Sequence, residues 1–194
     1  MKVALIPCGT SDWRQKGRLL GRVELEPARD AHAQCAAWGE GLRSAALTRI
    51  FHAPDKLSKS TAQQIGRRLG IPTKPLNALV EVDLGLWAGL TENDLKTRFA
   101  KAYRQLLDSP LNVTPPDGEG FSAAAERLRT CLRKRIKPNG KAAIGLVMRP
   151  LTFAMARYVL GELNSDGIWE ASQHETAPVV TDCSGVSATT TDAT

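Results

Sequence analysis

The sequence predicts an α/β three-layer sandwich around a largely parallel sheet, and three observations carry that reading. An apolar run beginning at Lys2 stops abruptly in a small-residue, polar turn. A second apolar run with β-branched residues, Lys141 to Met148, is followed by a helix opened by Pro150. Between the two, strand-like and helical segments alternate, the pattern of a parallel sheet with helices on its faces. The chain of 194 residues, 42% hydrophobic, is long enough for one substantial core and favours one domain over two. We expect a single domain over residues 1–182 and a tail over residues 183–194.

The first strand delivers the loop Cys8-Gly9-Thr10-Ser11-Asp12-Trp13-Arg14. In an open α/β sheet, loops at the carboxyl ends of strands face the ligand crevice, so chemistry is sought here first. The basic, glycine-containing segment Gln15 to Arg22 follows, then a helix from about Ala28 to Leu47 that turns Ala33, Ala36, Ala37 and Leu42 inward. Arg49 to Ala53 is a short strand ended by Pro54, and Ser60 to Leu69 is a helix closed by Gly70 with Pro72 just beyond. Thr73 to Glu81 contains an extended segment, and the glycines of Val82 to Leu90 shape a loop. Thr91 and Asp94 form a helix-start pair, after which Leu95, Phe99, Tyr103, Leu106 and Leu107 recur at helical spacing until Asp108-Ser109-Pro110. Asn112 to Gly120 is a connection rich in proline and glycine. Ser122 to Lys137 is a helix with Leu128, Leu132 and Ile136 on one face, while Arg127, Arg133, Lys134 and Arg135 form a solvated basic face. The helix from Pro150 ends at Gly161, Val179-Val180 adds a last short strand, and Cys183 to Thr194 has little to bury and is expected to be disordered. There are no internal repeats.

Apolar runs fall far short of the ~20 residues that a bilayer requires, and the amino terminus shows no long hydrophobic region with a cleavage site. A soluble cytoplasmic protein is expected, with no membrane partner. Cys8, Cys35, Cys131 and Cys183 show no paired short spacing of the zinc or redox type, and His32, His52 and His174 are isolated, so no metal or cofactor is indicated. The formal charge of +6 favours anionic partners in general, but both signs are interspersed. Nucleic-acid binding through Arg127 to Lys141 lacks interleaved aromatics and a known motif. Cys8 and Arg14 have the C-x5-R spacing of a thiolate phosphatase loop. That loop also needs a helix just after it, whereas Gln15-Lys16-Gly17 reads as continued loop.

Several segments, in order, give the chain a resemblance to the histidine phosphatase superfamily, with its phosphoglycerate mutase-like fold. Leu5 to Ser11 stands where that family has its first strand and Arg-His-Gly-Glu-Thr loop. Gly17 to Arg22 is similar to the segment that follows it. His52-Ala53-Pro54 to Thr61-Ala62 matches the family's Ser-Ser-Pro-Leu, Arg, Thr-Ala pattern in its proline and its Thr-Ala. Leu79-Val80-Glu81 and Gly85-Leu86-Trp87-Ala88-Gly89-Leu90-Thr91 resemble Leu-x-Glu and Gly-x-Trp-Glu-Gly-Leu-Thr, the most specific match. Asp117 to Gly120 resembles the Gly-Glu-Ser segment, and Leu146 to Pro150 stands at Val-Ser-His-Gly.

The resemblance implies a phosphoryl-transfer site whose parts are changed. Cys8 stands at the nucleophilic histidine, Pro7 and Leu57 at the two arginines, and Arg149 at the second histidine, while the acid position keeps Glu81. Leucine cannot supply the planar fork of donors that arginine offers phosphate oxygens, and loss of imidazole removes a nucleophile largely neutral at physiological pH. The expected function is that of a catalytically inactive member, a pseudophosphatase that binds a phosphorylated ligand or a protein. The alternative is a phosphomonoester hydrolase that uses Cys8 or water as nucleophile and Glu81 as acid. Arg14, Arg18 and Arg149 are expected to keep the crevice positive as anion ligands, or Arg149 to pair with Glu81 or Glu119. Cys8, Leu57, Glu81 and Arg149 should converge at neighbouring strand ends, around a pocket that Leu57 makes small or apolar.

Overall fold

The computed structural model describes residues 1–136, 140 and 142–183. Its five strands are β1 (Lys2–Pro7), β2 (Leu47–His52), β3 (Thr73–Pro75), β4 (Ala143–Met148) and β5 (Val179–Asp182), ordered β3-β2-β4-β1-β5. The first four run parallel, and β5 closes the β1 edge antiparallel. All six residues of β4 and five of the six in β1 are buried, because a central parallel strand is covered on both faces. Alternation along β1 divides the core in two. Val3 and Leu5 join the larger cluster with Leu146, Met148, Phe153 and Trp169, whereas Ala4 and Ile6 join Cys35, Ile50, Ile65 and Val147 on the other face. Helices α2 (Ala31–Gly41) and α3 (Lys56–Leu69) cover that second face. The first is covered by α6 (Phe121–Arg135), α7 (Pro150–Val159) and α8 (Ile168–His174), giving the three-layer sandwich.

Several boundaries differ from expectation for local reasons. The loop after β1 contains one helical turn, α1 (Asp12–Gln15), because the Ser11 hydroxyl accepts the Arg14 N–H at its start. The helix expected to reach Leu47 stops at Gly41, and Ala46, in the left-handed region at φ 51°, turns the chain into β2. α3 begins four residues earlier than Ser60, since Asp55 caps it by accepting the Ser58 N–H at 3.1 Å. Phe99 breaks the next helical stretch into α4 (Glu92–Arg98) and α5 (Ala100–Asp108), and Thr91 with Asp94 forms a complete capping box. α8 was not anticipated from the sequence. Lys137, Lys141 and the tail from Ser184 lie outside the described residues. Cys183, placed in that tail, is instead buried, its N–H donating to the Met1 carbonyl at 2.9 Å. No helix among the described residues is long and apolar enough to cross a membrane.

Candidate functional site

The carboxyl ends of β1, β2 and β4 meet at one place, and the side chains expected there are mostly present. The Cys8 N–H donates to the Met148 carbonyl at 2.8 Å, holding the first loop beside the end of β4. The Gly9 N–H donates to the Thr61 hydroxyl at 2.8 Å, and that hydroxyl donates to the Leu57 carbonyl, tying the loop to the first turns of α3. Cys8 and Leu57 are thereby packed into a small apolar cluster with Leu20, with Trp13 and Leu25 at its margin. Leu20 is delivered by the glycine-rich segment matched above. The Leu19 N–H donates to the Leu90 carbonyl and the Gly89 N–H to the Leu19 carbonyl, a two-bond clasp. Apolar side chains therefore surround much of the Cys8 thiol.

Glu81 is 3% exposed and acts as an internal cap. Its Oε1 accepts the N–H of Val82 and of Thr152, each at 2.8 Å, and the Thr152 hydroxyl at 2.7 Å, while Oε2 accepts the Leu151 N–H at 3.1 Å. Leu151 and Thr152 open α7, so the carboxylate occupies the first turn, where free N–H groups and the helix dipole favour negative charge. The segment before it is fastened by two arginines. Arg127 donates to the Ala78 and Val80 carbonyls at 2.8 and 3.0 Å, and Arg22 to the Glu81 carbonyl at 2.8 Å; both also grip Glu119. Arg127 is therefore a tether, correcting its placement on a solvated face. Burial, the largest influence, pushes the Glu81 carboxyl above the ordinary range, opposed by its Thr152 and Val82 hydrogen bonds and by the Arg149 charge.

Arg149 departs furthest from expectation. It is 1% exposed and pairs with neither Glu81 nor Glu119 but with Asp55, Nε to Oδ1 at 3.0 Å, while Nη1 donates to the carbonyls of Gly21 and Val23 at 2.8 and 2.7 Å. Because Asp55 already caps α3, one carboxylate holds both a helix start and the guanidinium. Arg149 Nη2 and Asp55 Oδ2 have no hydrogen-bond partner among the described residues. The cation is spent on the protein's own oxygens. Asp55 is absent from the sequence expectations, although an Asp immediately before a helical run is an N-cap signal.

Arg14 is half-buried, with Nη2 donating to the Gln173 carbonyl at 2.6 Å; burial, its largest influence, lowers its pKa, while Cys8 and Glu81 raise it. Arg18 does not join the site. It is exposed, its Nη1 donating to the Gly89 carbonyl at 2.6 Å and its backbone bridging to Thr91, because the chain turns away at Gly17. Desolvation pushes the Cys8 thiol far above its ordinary value, with Asp55 adding to the rise, so the neutral form persists. Two small cavities remain. One of about 100 Å³ is lined by Pro7, Cys8, Thr10, Arg14 and Gln34 among others, and one of about 20 Å³ by Arg14, Glu81 and Leu151. Neither is lined by Arg149, Asp55 or Leu57.

Comparison with known proteins bears on the family and the fold. The model of the histidine phosphatase superfamily (branch 1) matches residues 3–190. Phosphoserine phosphatase 1 of Hydrogenobacter thermophilus is 22% identical over 177 residues, 89% of this chain and 84% of that protein. The 2,3-bisphosphoglycerate-dependent phosphoglycerate mutase of Bartonella quintana is 26% identical over 142 residues, 71% of this chain and 69% of that one. A phosphoserine phosphatase variant from Entamoeba histolytica, solved with phosphoserine, superposes with a TM-score of 0.79 at 18% identity, covering 92% of this chain and 89% of its own. At that identity the structural likeness speaks to the fold.

Proposed function

The chain belongs to the histidine phosphatase superfamily, and from that premise we propose that it has exchanged phosphoryl transfer for binding. A protein is the favoured partner over a phosphorylated small molecule. The carrying observation is Arg149: the cation at the phosphate end of the sheet is buried, paired with Asp55 and bonded to two loop carbonyls. Binding a phosphate there requires breaking those contacts, and breaking a buried pair is costly. The nucleophile position supports the same reading, because a thiol held neutral by desolvation does not attack phosphorus. Fold and activity separate in this way when the sheet and loop clasps are kept while the charge constellation is lost.

The second reading, a phosphomonoester hydrolase with Cys8 or water as nucleophile and Glu81 as acid, has one observation in its favour. Glu81 retains a raised pKa within the electrostatic reach of Cys8 and Arg149. Incubation with p-nitrophenyl phosphate, phosphoserine and 3-phosphoglycerate, beside calorimetry with inorganic phosphate, separates the two. No turnover and no phosphate heat are expected. Turnover abolished by Cys8→Ala or Glu81→Gln would establish the hydrolase instead, and phosphate heat without turnover would make the protein a phospho-ligand sensor.

A further inference from the structure

The sheet face beside the carboxyl end of α6, near β2 and β3, carries a basic surface with two apolar hollows. α6 covers the face holding Leu5, Leu146 and Met148, but its last turn runs out beside β2 and leaves Phe51 only partly buried. The Arg135 guanidinium lies over the Phe51 ring, 4.7 Å from its centre. On one side of that turn a hollow of about 610 Å³ is floored by Leu76, Ala78 and Ala123. On the other, one of about 450 Å³ is floored by Met1, Phe51 and Ile144. Lys134 and Arg135 line both and form the wall between them.

Two further cations face the same way. Arg49 lines the second hollow, and Lys74 of β3 stands in register with Phe51, so both project from the same face of the sheet. Among the described residues no ion pair engages Arg49, Lys74 or Lys134. Glu126, the carboxylate beside the first hollow, is already paired with Arg129 at 2.6 Å. The Arg135 Nε is buried with no acceptor among the described residues.

We propose that this surface binds an acidic, amphipathic segment of a protein partner, with apolar side chains seated in the two hollows and carboxylates on Lys134, Arg135, Arg49 and Lys74. The proposal is independent of whether the Cys8 and Glu81 site has lost catalysis. Charge complementarity gives the sign of the partner, and the hollows give its class. Nucleic acid would read this surface through stacking, yet the aromatic ring is already covered by Arg135 and the hollows are floored mainly by aliphatic groups. A peptide alternating acidic and apolar side chains uses both features at once.

The test is fluorescence anisotropy of the full chain with a labelled decapeptide alternating glutamate and leucine, beside a glutamine-leucine counterpart and an oligothymidylate of equal charge. The glutamate peptide should bind, weaken as salt rises, and outcompete both comparators. Lys134→Glu with Arg135→Glu should weaken it by about tenfold, because two exposed charge pairs are lost and repulsion is added on reversal. Because Arg135 also packs on Phe51, the exposed pair Arg49→Glu with Lys74→Glu provides a second variant and should give a similar loss. Lys101→Glu with Arg104→Glu on α5 changes net charge equally and should leave binding unaltered. Equal losses from the α5 variant would mean that net charge alone matters, and stronger oligothymidylate binding would make this a nucleic-acid surface; either overturns the proposal, as does failure of the glutamate peptide to bind at low salt.

Discussion

Replacing Arg149 by methionine removes three hydrogen bonds, to Asp55 Oδ1 at 3.0 Å and to the Gly21 and Val23 carbonyls at 2.8 and 2.7 Å, and strands Asp55 at 9% exposure without its counter-charge. Breaking a buried pair by removing one partner costs about 3–5 kcal/mol. At about 2–4 °C per kcal/mol for a chain of this size, the melting temperature of Arg149→Met should fall by about 6–20 °C. Asp55→Asn keeps an oxygen to accept the Ser58 N–H and so spares the α3 cap, which isolates its cost to the pair with Arg149. The double variant should be less destabilised than the sum of the singles, with a coupling of about 2–3 kcal/mol. Urea unfolding of wild type, both singles and the double at neutral pH measures the cycle. Additivity within about 0.5 kcal/mol would show that Arg149 and Asp55 are energetically independent, and that the pair does not hold the cation away from an anion.

The raised Glu81 pKa makes the native state bind more protons than the unfolded chain above the ordinary value of 4.5. Its contribution to stability therefore falls as pH rises from there through the folded pKa, and Glu81→Gln should flatten that slope; parallel stability-against-pH curves would refute the shift. Cys8→His alone should give no phosphatase turnover, since Pro7 and Leu57 still supply no oxygen-binding groups and Arg149 remains locked to Asp55. A variant combining Pro7→Arg, Cys8→His, Leu57→Arg and Arg149→His must also replace Asp55, and rescue by a single substitution would show that the missing oxygen ligands are dispensable. Gly85 sits at φ +47°, where an added Cβ would lie 2.0 Å from the Pro116 carbonyl oxygen, so Gly85→Ala should destabilise by about 3–4 kcal/mol in denaturant titration.

Hydrophobic patterning made β1 and β4 legible in the sequence, because a strand covered on both faces needs an unbroken apolar run whatever its neighbours are. The ordered landmarks at 5–11, 52–62, 79–91 and 146–150 located the loops at the sheet's carboxyl end, and Cys8, Leu57, Glu81, Arg149 and Arg14 do come together there. Turn chemistry was read less well. The Asp55 cap starts α3 four residues before the Ser60 that the sequence pattern suggests, and the break at Phe99 leaves no signal because its apolar spacing suits one continuous helix equally.

Only the tertiary structure decided how the charges are used. Arg149 meets Asp55 across 94 positions of sequence, and nothing local distinguishes that carboxylate from Glu81 or Glu119 as its partner. Arg127 and Lys134 lie on one helix and read alike in sequence, yet Arg127 reaches the Ala78 and Val80 carbonyls while Lys134 stays in solvent beside the two hollows. Arg18 is as basic as Arg14 but leaves the site because the chain turns at Gly17. Burial in an apolar run depends on residue type and period, which the sequence holds. The partner of a long charged side chain depends on which oxygen atoms the folded backbone brings within about 3 Å, and distances of that kind exist only once the strands have been assembled.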